Sequence, residues 1–214
     1  MAHLLIHRGL AKKNLAENTI EAFKYCFKKR YGIETDIHCT QDGKIVCFHD
    51  FTLKRKFKTN RALKKSKYKD LLKISKSKKK TIPLLSDLIK ISKNKRFLML
   101  EIKPLFSKKI LKILIQETKM LNNYSITSFK EKNIINLYKM KRNLNLGLIV
   151  PSTFTAKKII KKSKAKHVKF LVVEKKFLKE KKVNKIKKKI YFYTIRDKKL
   201  FNRFSNQNLI FENL

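Results

Sequence analysis

Acidic residues are scarce in this chain: 15 Asp and Glu stand against 56 Lys and Arg in 214 residues, a formal net charge of +41. Glycine (4), proline (3) and cysteine (3) are also few, and tryptophan is absent. The cysteines, at positions 26, 39 and 47, make neither an even disulfide framework nor a CxxC pair, so free thiols in a reducing compartment are expected. No apolar run approaches the ~18–20 residues of a membrane span. The opening MAHLLIHRG lacks the cationic head and long apolar stretch of a secretory signal. Together these absences place the protein in the cytoplasm. With so little Gly and Pro no linker is visible, nor is there an internal repeat, and residues 1–214 read as one domain. Such a length is routine for a single α/β barrel, which runs to roughly 200–250 residues. A hydrophobic content of 43% with 10% aromatics supplies a core and excludes a wholly disordered basic tail.

So large a positive charge raises the question of nucleic acid, because cations that neutralise phosphates release counterions and drive binding. Only 8 of the 56 cations are Arg, however, and the 48 Lys are spread along the whole chain. Base reading and bidentate phosphate contacts lean on the planar fork of Arg. Solvated lysine faces are the favoured reading, with weak, non-specific contact to RNA or an anionic membrane as their by-product. The same imbalance makes each carboxylate informative. Glu34, Asp36 and Glu101 sit within apolar, strand-like runs, where surface decoration is not expected.

Strand-like runs occupy 3–7, 33–37, 45–48, 97–102, 124–128, 146–150, 168–173, 190–194 and 208–211. Stretches with apolar residues three and four apart lie between them, at 18–30, 84–94, 107–121, 130–141, 154–165 and 196–204, with a weaker one at 174–187. Asn18-Thr19 and Ser86-Asp87 are reasonable helix starts. This alternation predicts a parallel α/β architecture. Nine runs exceed a barrel of eight by one. The surplus is 45–48, reached from 33–37 through Thr40-Gln41-Asp42-Gly43, a connection too short for a parallel crossover. It reads as a hairpin arm at the mouth of a compact TIM (β/α)8 barrel. The Lys-rich stretch 52–80 reads as a basic loop.

Side-chain alternation puts His3, Leu5 and His7 on one face of their strand, Glu34 with Asp36, and Phe97, Met99, Glu101 and Lys103 together. In each run the polar residues come last, and inward residues at the C-terminal strand ends line the mouth of a parallel barrel. One site can therefore collect His7, Glu34, Asp36, Glu101 and Lys103. Three clustered carboxylates in a half-buried mouth call for a cation, and oxygen-only ligands favour Mg²⁺ or Ca²⁺. His38 shares parity with Glu34 and Asp36 but falls past the expected strand end, which makes it a rim residue. His3 is expected at the barrel floor and His167 outside, at the start of a strand. Asp50 can orient the His49 ring or cap the following loop.

A chain-wide pattern runs through the same residues. His7-Arg8-Gly9, Glu17-Asn18-Thr19 with Ala22-Phe23, Gly32-Ile33-Glu34-x-Asp36, Asp42-Gly43, His49-Asp50, Leu53-x-Arg55, Pro83-x-Leu85 and Glu101-Ile102-Lys103 follow one another in order. The sequence thereby resembles the glycerophosphodiester phosphodiesterases, strongly over 5–103 and more weakly through Thr127-Ser128-Phe129 and Tyr193-Thr194-Ile195. The resemblance implies a TIM barrel, a divalent metal, and hydrolysis of glycerophosphodiesters to glycerol 3-phosphate and an alcohol. It makes Glu34, Asp36 and Glu101 the metal ligands, His7 and His49 the acid/base pair, and Arg8 and Lys103 the phosphate-binding cations. Three positions depart from the family pattern. Ala16 stands where Pro is usual, Tyr193 where Trp is common, and the chain ends Phe211-Glu212-Asn213-Leu214 without the usual Thr-Asp or a closing helix.

Two rival readings share the fold. In one the barrel takes lysophospholipids or other phosphodiesters, held to an anionic bilayer by 52–80. In the other an inactive barrel holds RNA or lipid on its basic surface. The intact set of seven polar site residues speaks against the second.

Overall fold

Parallel pairing around a closed ring organises the chain. The computed structural model describes residues 2–77 and 81–214. Eight strands form the ring: β1 (Leu4–His7), β2 (Gly32–Cys39), β4 (Leu98–Ile102), β5 (Tyr124–Ser128), β6 (Leu146–Ile149), β7 (Phe170–Glu174), β8 (Lys189–Ile195) and β9 (Asn208–Phe211). Each is parallel to its neighbours, and β9 pairs with both β8 and β1, which closes the circle. The remaining strand, β3 (Ile45–Cys47), runs antiparallel to β2 outside the ring, with Ile37 opposite Cys47. The fold is a (β/α)8 barrel with a hairpin arm, as the turn at Asp42-Gly43 predicts.

The helices are α1 (Ile20–Lys28), α2 (Lys54–Phe57), α3 (Tyr68–Ser77), α4 (Leu85–Ser92), α5 (Lys108–Glu117), α6 (Glu131–Met140), α7 (Ala156–Ser163), α8 (Lys181–Asn184) and α9 (Lys198–Arg203). Several of their starts follow from side-chain oxygens that accept otherwise unpaired amides. Thr19 Oγ1 accepts from the Ala22 amide, Ser107 from Ile110, and Asp197 from Leu200. At α4 the order differs from the sequence expectation. Leu85 begins the helix and Asp87 reaches back to the Leu84 amide at 3.1 Å.

Register places the inward residues in common layers. Glu34 lies opposite His7 and Met99, and Asp36 opposite Glu101. Leu5, Met99, Ile149, Phe170, Val172, Tyr191 and Ile210 fill the barrel interior. Gly147 belongs to this packing, because the Phe170 ring sits 2.2 Å from where a Cβ would be. The larger core lies between barrel and helices.

The stretch 52–80 is not the loop its lysines suggest. It contains α2, a 3₁₀ turn at Leu63–Lys65 and α3, whose buried Leu53, Phe57, Leu63 and Leu71 pack on Val46, Phe48 and Ile82 from the hairpin side. Apolar residues at 53 and 57 are one helical turn apart, a period hidden by the lysines around them. Residues 78–80 of that stretch lie outside the described residues. Among the described residues no helix is long and apolar enough to cross a membrane.

Candidate active site

The C-terminal strand ends gather three acids. Ligand oxygens of Glu34, Asp36 and Glu101 lie within 4.8 Å of one another, and all three side chains are buried. Both carboxylate oxygens of Glu34 lack a hydrogen-bond partner, as do Asp36 Oδ1 and Glu101 Oε1. Lys103 Nζ is 2.7 Å from Glu101 Oε1 and 3.4 Å from Asp36 Oδ1, so those two oxygens have a charge partner without an aligned hydrogen bond. Burial, reinforced by Asp36 and Glu101, holds the Glu34 carboxyl well above its ordinary range. Burial and Asp36 push Glu101 up to about 7. Burial also opposes ionisation of Asp36, but Arg8, Lys103 and His49 outweigh it and keep that carboxyl low. Buried carboxylates without donors are costly unless a cation neutralises them. An all-oxygen set of this size fits a hard divalent ion.

Local backbone delivers the cations. The chain leaves β1 through two left-handed residues, Arg8 (φ 53°) and Gly9 (φ 74°). The first is strained for a side-chain-bearing residue, and the Arg8 amide is tied to the Glu34 carbonyl at 2.8 Å. This bend brings Arg8 Nε to 3.0 Å from Asp36 and Nη1 to 3.2 Å from Glu17. Asn18 donates to Asp36 Oδ2 at 3.1 Å and accepts from Thr35 Oγ1 at 2.8 Å, fixing the carboxylate from behind.

Each site histidine has a carboxylate on Nδ1. His49 Nδ1 is 2.7 Å from Asp50, which Arg55 holds in turn at 2.6 Å. Asp50 thus orients the ring. His7 Nδ1 is 2.6 Å from Glu212, and its Nε2 lies 3.9 Å from Glu34. Arg196 binds the other oxygen of Glu212. Burial lowers the His49 pKa, against the pull of Asp36 and Asp50. His7, Arg8, Glu34, His49, Glu101 and Lys103 line a cavity of about 240 Å³. Phe129, Tyr193, Ile149, Val172 and Arg196 line the same cavity.

The model of the glycerophosphoryl diester phosphodiesterase family matches residues 7–209. The chain belongs to that family. A glycerophosphodiester phosphodiesterase of Caldanaerobacter subterraneus subsp. tengcongensis is 30% identical over 161 residues. The match covers 68% of this chain and 65% of that relative, just under two thirds of its length. A glycerophosphodiester phosphodiesterase of Thermotoga maritima superposes with a TM-score of 0.84 at 18% identity, over 100% of this chain and 95% of its own. An Oleispira antarctica phosphodiesterase, solved with the product sn-glycerol-3-phosphate, gives 0.83 at 19% identity over 100% and 93%. At these identities the structural likeness shows the shared fold.

All seven residues singled out by the sequence converge at this family member's barrel mouth. His38 does not sit on the rim. Since β2 continues to Cys39, His38 is buried, its Nε2 3.1 Å from the His49 carbonyl oxygen, and burial lowers its pKa to about 4. His3 is at the floor, 2.7 Å from the Tyr191 hydroxyl, and His167 is outside against Glu131. Cys26, Cys39 and Cys47 are free thiols. Sequence reasoning missed Glu212 and Arg196. Alternation along the last strand, Asn208, Ile210, Glu212, carries the signal for the first. Nothing in the pattern marks Arg196.

Proposed function

We propose that this chain, acting as one barrel domain over 1–214, hydrolyses glycerophosphodiesters to glycerol 3-phosphate and an alcohol. The observation that carries the reading is the gathering of two carboxylate-held imidazoles, His7 and His49, at one cavity with a buried three-carboxylate set. Family membership and the product bound by the Oleispira relative support it.

Arg8 and Lys103 bind the non-bridging oxygens of the diester and hold charge that grows in the transition state. Glu34, Asp36 and Glu101 would hold Mg²⁺ or Ca²⁺, which supplies further positive charge to the same oxygens when bound. With Nδ1 engaged by a carboxylate, each imidazole presents Nε2 to the cavity. One takes the proton of the attacking hydroxyl as its oxygen bonds to phosphorus, the hydroxyl being that of water or that of the glycerol, whose cyclic ester water then opens. The other gives a proton to the departing alkoxide. Tyr193, Phe129 and Ile149 wall the cavity without a formal charge and receive the alcohol. The three free thiols fit a reducing, cytoplasmic setting.

The test measures glycerol 3-phosphate release from glycerophosphocholine and glycerophosphoethanolamine with Mg²⁺, with Ca²⁺ and with chelator, beside His49→Ala. Metal-supported release that the substitution lowers by ~10²–10⁴-fold establishes the reaction. No release with either metal, from folded protein, overturns it.

A further inference from the structure

Five large apolar side chains stand out into solvent among the described residues: Phe51, Leu105, Met120, Phe129 and Leu214. Single exposed apolar residues are ordinary. Their placement here is not. Phe51 (55% exposed), Leu105 (52%) and Phe129 (38%) stand on the loops that follow β3, β4 and β5, all at the cavity mouth. Each has an exposed lysine within three positions in sequence, at Lys54, Lys108 and Lys130. Of the nearby carboxylates, Glu17 and Asp50 are already held by Arg8 and Arg55, and Glu131 by Lys162 and His167.

The three residues stand on three separate loops and share none of the described cavities, so together they form no single groove for a helix or strand. Apolar side chains that enter a headgroup layer while neighbouring lysines stay at its charged surface match the chemistry of an anionic bilayer. We propose that the mouth face docks on an anionic lipid bilayer through Phe51, Leu105 and Phe129, with Lys54, Lys108 and Lys130 at the headgroups. Docked so, the cavity opens onto the headgroup layer and takes its phosphodiesters there. That last consequence rests on the cavity being the active site; the docking does not.

The chain has no tryptophan, so one introduced residue is a clean reporter. Leu105→Trp at the mouth is compared with Met120→Trp, which lies before β5 at the opposite end of the barrel. With vesicles of phosphatidylcholine mixed with phosphatidylglycerol, emission from Leu105→Trp is expected to move to the blue and to be quenched by brominated lipid. Emission from Met120→Trp is expected to stay unchanged. Phe51→Ser with Leu105→Ser is expected to lose co-sedimentation with these vesicles and to keep its turnover of dissolved glycerophosphocholine. Equal responses at both reporters overturn the proposal. So does co-sedimentation that survives the double substitution, since scattered lysines then suffice, or a Leu105→Trp response to RNA and not to vesicles. The vesicle readouts need no turnover, so docking by an inactive protein would sink the hydrolytic reading and leave this one standing.

Discussion

His7 and His49 are served by carboxylates at very different sequence distances. Asp50 is the next residue after His49, whereas Glu212 lies 205 positions from His7. Burial works against ionisation of Glu212, but His7 and Arg196 outweigh it and bring its pKa to about 2. It therefore stays an acceptor for the imidazole across the whole neutral range. Glu212→Ala is expected to remove a charged hydrogen bond worth about 1.5–3 kcal/mol, or roughly 10–100-fold in kcat. Little change in KM is expected, since Glu212 fixes a ring and does not line the cavity. Steady-state kinetics beside Glu212→Asp check this, and equal kcat in Glu212→Ala and the parent would remove Glu212 from the machinery. The motif Glu17-Asn18-Thr19 and the helix start at Thr19 were legible, and the structure gives these residues to Arg8, Asp36 and the start of α1. Glu212 was not, because a motif ending in Thr-Asp gives no guide to a Glu one position beyond Phe211.

Helix α2 has only four residues, yet it ties two parts of the molecule together. Its Phe57 is buried beside Phe48, ring centroids 6.1 Å apart, while Arg55 on the same turn binds both Glu17 and Asp50. Phe57→Ala is expected to cost about 3–5 kcal/mol, seen as a lower urea midpoint. Loss of turnover should accompany it, because Arg55 releases Asp50 as α2 frays. Full stability in that variant would show the small cluster to be independent of the barrel. This cluster is where sequence reading failed at the level of elements. The barrel strands announce themselves as apolar runs, and the hairpin by a short Asp-Gly turn. Leu53, Phe57, Leu63 and Leu71 are spaced irregularly among lysines, and only packing on Val46 and Phe48 reveals their common face.

Charge acts on the whole molecule in two ways. Burial opposes ionisation of Glu17, but Lys56, Arg55 and Arg8 together lower its pKa to about 2. A folded-state pKa below the unfolded value, near 4.5, gives stability that is fully present above about pH 4.5 and lost as pH falls through about 2. With exposed Arg55 discounted for solvent screening, the contribution is of order 2 kcal/mol. Glu17→Gln should flatten the fall in urea midpoint between those pH values; an unchanged slope would place the acid sensitivity elsewhere. The second effect is repulsion within the acid set. Mg²⁺ or Ca²⁺ at a hundredfold excess over its Kd should stabilise the fold by about 2.7 kcal/mol, read as a higher Tm than in chelator. Glu34→Gln should abolish that response and raise the Tm of the metal-free protein, since one uncompensated buried carboxylate is gone. A metal response that survives Glu34→Gln would move the ion away from these three acids.

Closure of the ring by β9, between β1 and β8, sets an order of events on the ribosome. Until the last strand emerges, β1 and β8 each keep an unpaired backbone edge, the kind of edge that recruits strands from other chains. A nascent chain of this protein is thus most exposed to misassembly between the emergence of β8 and that of β9. The same strand that removes the hazard leads directly into Glu212 and brings it to His7, so the active site is completed when the barrel ceases to be sticky.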